Sequence, residues 1–288
     1  MKSPAPLWTA TLAAAAMCAF AANSLLCRLA LGPRLIDAAT FTSVRLVSGA
    51  LLLAALVAWR QRARPWAAFD PWAALALFVY AIAFSYAYLS LTAGTGALVL
   101  FGAVQITMIL FGLVSGERLT VAGWSGLAVA FAGLVYLVAP GLDAPPFTAA
   151  LLMAVAGLAW GVYSLRGRGV PDPLRATASN FIWSVPLAVL SSALLSSQYH
   201  ATTRGVALAV ASGAVASGLG YVIWYAAVRR LAAVRAAAVQ LSVPVIAAFG
   251  GILLLGEELT ARLALSSVTV LGGIAMVLYS RAPAAGKP

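Results

Sequence analysis

The sequence predicts an all-α integral membrane protein of ten transmembrane helices, built as a five-plus-five inverted repeat with both termini in the cytoplasm. Three observations lead there. Of the 288 residues, 63% are hydrophobic and only 9% charged, with a mean hydropathy of +1.00, whereas a soluble domain carries about 25% charged residues. The apolar runs are the length of a spanning helix, about 20 residues, rather than the ten or so alternating residues of a barrel strand. Finally, Gly116-Glu117-Arg118-Leu119-Thr120 returns as Gly256-Glu257-Glu258-Leu259-Thr260, displaced by 140 residues.

Punctuation by Pro, Gly and charge divides the chain into apolar segments over 7–30, 38–59, 71–91, 95–115, 121–140, 146–165, 174–196, 204–228, 234–255 and 262–280. The first segment, with Lys2 and an Ala-rich run, resembles a signal peptide. Its counterpart around Trp160 is internal, so the first is read as a retained span. The offset of 140 also aligns Phe20 with Trp160, Ser24 with Ser164, Arg28 with Arg168, Phe41 with Phe181, Ala87 with Ala227, Leu91 with Leu231 and Gly133 with Gly273. Residues 1–140 and 141–280 therefore read as two copies of one unit, followed by a cytoplasmic tail at 281–288. With both termini inside, the cytoplasmic side carries 13 Lys and Arg residues and the opposite side 5, the bias expected of inner loops. Five spans per copy make the second copy enter from the opposite face, an architecture that suits alternating access.

The net charge of +11 comes from arginines set singly or in pairs at segment ends, which reads as topology and not as nucleic-acid binding. Cys18 and Cys27 lie nine residues apart on one segment, roughly 13 Å along a helix, too far for an ordinary bridge. His200 is the single histidine and lies in a loop, so no metal and no cofactor is expected. All seven acids fall at or near segment ends, so no buried carboxylate relay is visible. No Walker A loop is present, which excludes ATP-driven transport within this chain. An enzyme is not expected either, because no catalytic constellation is present.

Polar and aromatic residues inside the spans are the candidates for a substrate path: Phe20 and Asn23 in the first segment, Tyr80, Phe84 and Tyr86 in the third, Gln105 in the fourth, Trp160 and Tyr163 in the sixth, Trp224 in the eighth and Gln240 in the ninth. Buried amides are costly unless bonded or wet, so Gln105 and Gln240 should point into the bundle, lining the path in preference to bridging helices. For Trp160, Trp183 and Trp224 cavity lining and helix packing stand as equal readings. Trp8, Trp59, Trp66, Trp72, Trp124 and Tyr279 read as the interfacial belt. Arg45, the one basic residue well inside a span, is expected to snorkel to the outer surface in preference to binding an anionic group. Gly112 with Gly116 and Gly157 with Gly161 predict close helix packing. Pro186 and Pro244 predict interrupted helices, Pro244 freeing a carbonyl near Gln240.

The spans, the inverted repeat and the paired Gly-Glu-x-Leu-Thr turns resemble the drug/metabolite transporter superfamily, in particular its EamA-type exporters, over nearly the whole chain. Within it the aromatics Tyr80, Tyr86, Trp160, Tyr163 and Trp224 are similar to those of aromatic amino acid exporters of the bacterial inner membrane. The family's proline appears at Pro244, while Val104 departs from it in the first copy. The resemblance implies a monomeric, multi-pass inner-membrane exporter of neutral amino acids, large apolar ones favoured, working by alternating access without ATP. Its partners would be the amino acid and the lipid bilayer, with no nucleic acid. The alternative is a multidrug or small-metabolite exporter of the same fold.

Overall fold

The computed structural model describes residues 6–116, 118–167, 170–195, 197, 199–228 and 239–280. Glu117 of the first Gly-Glu turn, the repeat partners Arg168 and Leu231, the start of the ninth apolar segment and the tail at 281–288 lie outside the described residues.

The described chain is helical throughout, with no strand among the described residues. Its elements are α1 (Pro6–Leu31), α2 (Ala38–Gln61), α3 (Pro71–Ala87), α4 (Ala93–Val114), α5 (Val121–Val138), α6 (Phe147–Arg166), α7 (Pro173–Leu194), α8 (Thr203–Val210), a wide-turned π segment (Ala211–Leu219), α9 (Gly220–Val228), α10 (Ser242–Leu255) and α11 (Ala261–Ser280). Taking α8 to α9 as one run, eight helices of the described residues are long and apolar enough to cross a membrane, and α3 and α10 are shorter apolar helices.

Short polar residues set the boundaries. Asp37, Asp70, Thr92, Thr120, Asp172 and Thr202 each accept a backbone N–H of the helix that follows, satisfying donors that a helix start leaves unpaired. The paired turns are built alike. Gly116 and Gly256 have φ of +92° and +65°, a left-handed conformation that glycine adopts without strain. Four residues later Thr120 accepts the N–H of Gly123 and Thr260 that of Leu263. Glycine stops one helix and threonine starts the next.

Packing is close where side chains are absent. A Cβ on Gly126 would lie 2.6 Å from the carbonyl oxygen of Gly273, so α5 and α11 cross backbone to backbone. Gly157 and Gly161 bring α6 against Ala103 and Thr107 of α4, as their spacing predicts. Gly116 corrects the matching expectation for Gly112 and Gly116, because it faces open space and serves the turn.

The helices pair as α2 with α7, α4 with α10 and α5 with α11, while α3 lies on α6, α1 on the π segment and α9, α4 on α6, and α1 on α10. At one end Asp37 accepts the N–H of His200, and the loops before α2 and α8 join through the antiparallel bridge of Ile36 and Ala201. At the other end Asp70 holds Arg166 at 2.8 Å and Gln61 donates to Asp172. The six aromatics expected at the interface are all exposed. So are large apolar residues such as Leu253, Leu254 and Val268, an outer face made for lipid.

Candidate functional site

Aromatic residues of α1, α3, α6 and α9 converge around a small cavity. Its wall contains Phe20, Asn23 and Ser24 of α1, Tyr80 and Phe84 of α3, Leu100 and Phe101 of α4, Trp160 of α6, Ala216 and Ser217 of the π segment and Tyr221 of α9. Trp160 is the hub. Its ring centroid lies 4.9 Å from that of Tyr80, 5.1 Å from Tyr221, 5.3 Å from Tyr163 and 6.5 Å from Phe20. Such tilted and edge-on pairs contribute about 0.5–1.5 kcal/mol each beyond area burial, so the wall is rigid as well as apolar.

A polar network runs behind this wall. Ser212 donates to Oδ1 of Asn23 at 2.6 Å, and Asn23 Nδ2 donates to the Tyr80 hydroxyl at 3.2 Å. Arg45 Nη2 donates to the same hydroxyl at 2.9 Å, and its Nε donates to Ser217 Oγ at 3.4 Å. The guanidinium carbon stands 5.1 Å from the ring centroids of both Tyr80 and Phe84.

Arg45 therefore corrects the snorkelling expectation. It is only 1% exposed. Lying seven residues into α2, it is roughly 10 Å along the axis from the helix start, and its head turns inward. The cause is local. A Cβ on Gly213 would run into the carbonyl oxygen of Arg45, and one on Gly49 would lie 2.5 Å from the Phe181 ring. These glycines let the π segment lie directly on α2, and the close crossing sets Ser217 beside the guanidinium. Arg45 Nη1 has no hydrogen-bond partner in the structure. Both ion pairs among the described residues use other arginines. Placing a charged side chain at the centre of a span costs about 3 kcal/mol on insertion scales.

Of the ten residues singled out in the sequence, Phe20, Asn23, Tyr80, Phe84 and Trp160 line this cavity. Trp224 meets Phe20 at 6.1 Å between centroids. Tyr163, stacked on Trp160, lines a second cavity with Asp70, Arg166, Thr177, Asn180 and Tyr225 at the Asp70–Arg166 end. The structure does not bring Tyr86, Gln105 and Gln240 into either lining; Gln105 is buried in α4, and Tyr86 and Gln240 are half-buried. Gln240 precedes a turn at Leu241, after which α10 begins, so Pro244 falls in a first helical turn. There its missing N–H costs nothing. Trp183 stacks with Phe69 and bonds the Trp66 carbonyl, away from both cavities. Sequence reasoning overlooked Ser217 and Phe101 and ranked the inward reading of Arg45 second to snorkelling; the signal for Arg45 was its solitary charge inside a span.

The end opposite the second cavity is tied by Arg28 and Glu257. Arg28 Nε holds Glu257 Oε1 at 3.1 Å and its Nη1 donates to the Tyr88 carbonyl at 3.3 Å, while Glu257 Oε2 accepts the N–H of Ala93 at 2.8 Å. One carboxylate thus caps α4 and pins α1. Asp70, at the other end, is pushed up by partial burial, but Arg166 and the N–H groups of Ala73 and Trp72 outweigh this and hold its carboxyl below the ordinary value.

Residues 147–279 match the EamA-like transporter family. An uncharacterized protein of Pseudomonas aeruginosa is 52% identical over 273 residues, 95% of each chain. A protein of Salmonella typhimurium named a probable amino-acid metabolite efflux pump is 28% identical, over 63% of this chain and 66% of its own. A solved crystal structure superposes with a TM-score of 0.65 at 20% identity, covering 93% of this chain and 97% of that one, which speaks to the fold alone.

Proposed function

We propose that this chain, whose residues 147–279 match the EamA-like transporter family, is a transporter of the drug/metabolite superfamily that exports neutral amino acids with large apolar, especially aromatic, side chains. The observation that carries this reading is the Trp160-centred cavity, whose aromatic wall is joined on one side to a bonded polar network. A zwitterion with a ring needs those two surfaces. The Salmonella relative, by its name an amino-acid metabolite efflux pump, supports the class. A lipophilic cation would meet the charge of Arg45 behind the wall instead of a carboxylate.

Export proceeds by alternating access between two inverted halves, 1–140 and 141–280. The helix pairings support this, because moving each partner on by five apolar segments carries α3 on α6 to α1 on α9, and α4 on α6 to α1 on α10, and returns α2 with α7, α4 with α10 and α5 with α11 to themselves. A second cavity at the Asp70–Arg166 end and the Arg28–Glu257 tie at the other agree with entry from the cytoplasmic side of a bacterial inner membrane.

The test uses cells that make the full chain and are fed a phenylalanine-containing dipeptide. Free phenylalanine should leave these cells faster than cells carrying an empty vector. Equal release would remove amino acid export.

A further inference from the structure

Arg45 has a use that the transport reading leaves open. Its guanidinium is fixed by three residues, Tyr80, Phe84 and Ser217, and all three belong to the cavity wall. Nη1 is buried without a partner. The Tyr80 hydroxyl accepts from both Arg45 and Asn23, so its own proton remains to be donated. Two donors without acceptors therefore lie together at one side of the aromatic cavity, Tyr80 in its lining and Arg45 directly behind it, and the charge there is balanced by no carboxylate within ion-pair distance among the described residues.

We propose that Arg45 Nη1 and the Tyr80 hydroxyl form a carboxylate subsite, so that the transporter selects its substrates by the free carboxylate and not by the amino group. A carboxylate has two oxygens and takes charge-assisted bonds from two donors. An anion there returns to Arg45 the partner that membrane burial denies it. The opposite end of the ligand lies against Trp160, Phe20 and Tyr221, and neither cavity lining contributes a carboxylate near Arg45 that would hold an ammonium. Monocarboxylates carrying an aromatic group, with or without an α-amine, are the ligand class. The inference rests on the transport reading for the site, but the carboxylate rule can be separated from the amino acid.

The test is direct binding to the purified full chain in lipid nanodiscs, with three probes: L-phenylalanine, 3-phenylpropionate and L-phenylalaninamide. The first two should bind within about tenfold of each other, and the amide at least tenfold more weakly. Arg45→Gln should weaken phenylalanine and phenylpropionate at least tenfold and leave the amide unchanged; Arg45→Lys should recover part of the loss. Should Arg45→Gln fail to fold, the three probes on the native chain still decide. Equal binding of the amide and phenylalanine, or full binding by a folded Arg45→Gln, overturns the subsite while amino acid recognition stands. Binding of phenylpropionate without phenylalanine keeps the subsite and removes the amino acid reading. Binding of none of the three overturns both.

Discussion

Trp160 and Gly213 govern the cavity in different ways. Trp160 supplies the face on which a ring would stack, touching four other aromatics, and each such contact is worth about 0.5–1.5 kcal/mol. Trp160→Ala should therefore shift the ratio of phenylalanine to leucine export by up to roughly tenfold while the protein is still made and inserted. An unchanged ratio would take Trp160 out of the path. Gly213 contributes space: its missing side chain lets the π segment rest on the backbone of Arg45. Gly213→Ala should lower stability by about 1–3 kcal/mol, read as a lower thermal midpoint of the purified chain, and weaken transport with it. The aromatic wall was legible because Trp and Tyr are uncommon in the middle of a span and recur at helical spacing. Arg45 was not, because a sequence shows the depth of a long side chain's Cα but not the direction of its head. The glycines that turn it inward lie 4 and 168 residues away.

Two ties at opposite ends of the helices make separable predictions. Glu257 caps α4 and binds Arg28. Glu257→Ala removes both and should cost about 1–3 kcal/mol. Glu257→Gln keeps an acceptor for the Ala93 N–H and should cost less, and a double-mutant cycle with Arg28→Ala should show coupling. Asp70 holds Arg166 and caps α3. Its carboxyl is held below the ordinary value in the folded chain, so it stabilises the fold above the usual Asp range near about 4 and loses that contribution as pH falls through its lowered pKa. The thermal midpoint of the wild type should accordingly fall more steeply on acidification than that of Asp70→Asn. Helix limits were readable to within a few residues for most segments, because Asp, Thr, Pro and Gly mark ends by satisfying or removing backbone bonds. The π segment was not readable: Ala211–Leu219 has the composition of any small-residue helix, and its wide turns coincide with the close crossing on α2.

Residues 147–279 match the EamA-like transporter family, and eight helices of the described residues are long and apolar enough to cross a membrane; the charge pattern predicts that both termini are cytoplasmic. A reporter active only in the periplasm, fused after Pro288, should be silent; an active fusion would reverse the orientation. The Gly-Glu turns carried the fold in the sequence because each combines a helix stop with a helix start, and a duplicated stop-start is hard to produce by chance. Substrate was far less legible, since aromatic walls tolerate many rings. The most direct measurement is efflux of labelled L-phenylalanine from proteoliposomes holding the purified chain, with a lipophilic cation as competitor and the proton gradient present or collapsed. The account predicts protein-dependent phenylalanine movement that the cation does not inhibit and that persists without the gradient. Movement of the cation with none of phenylalanine would contradict it.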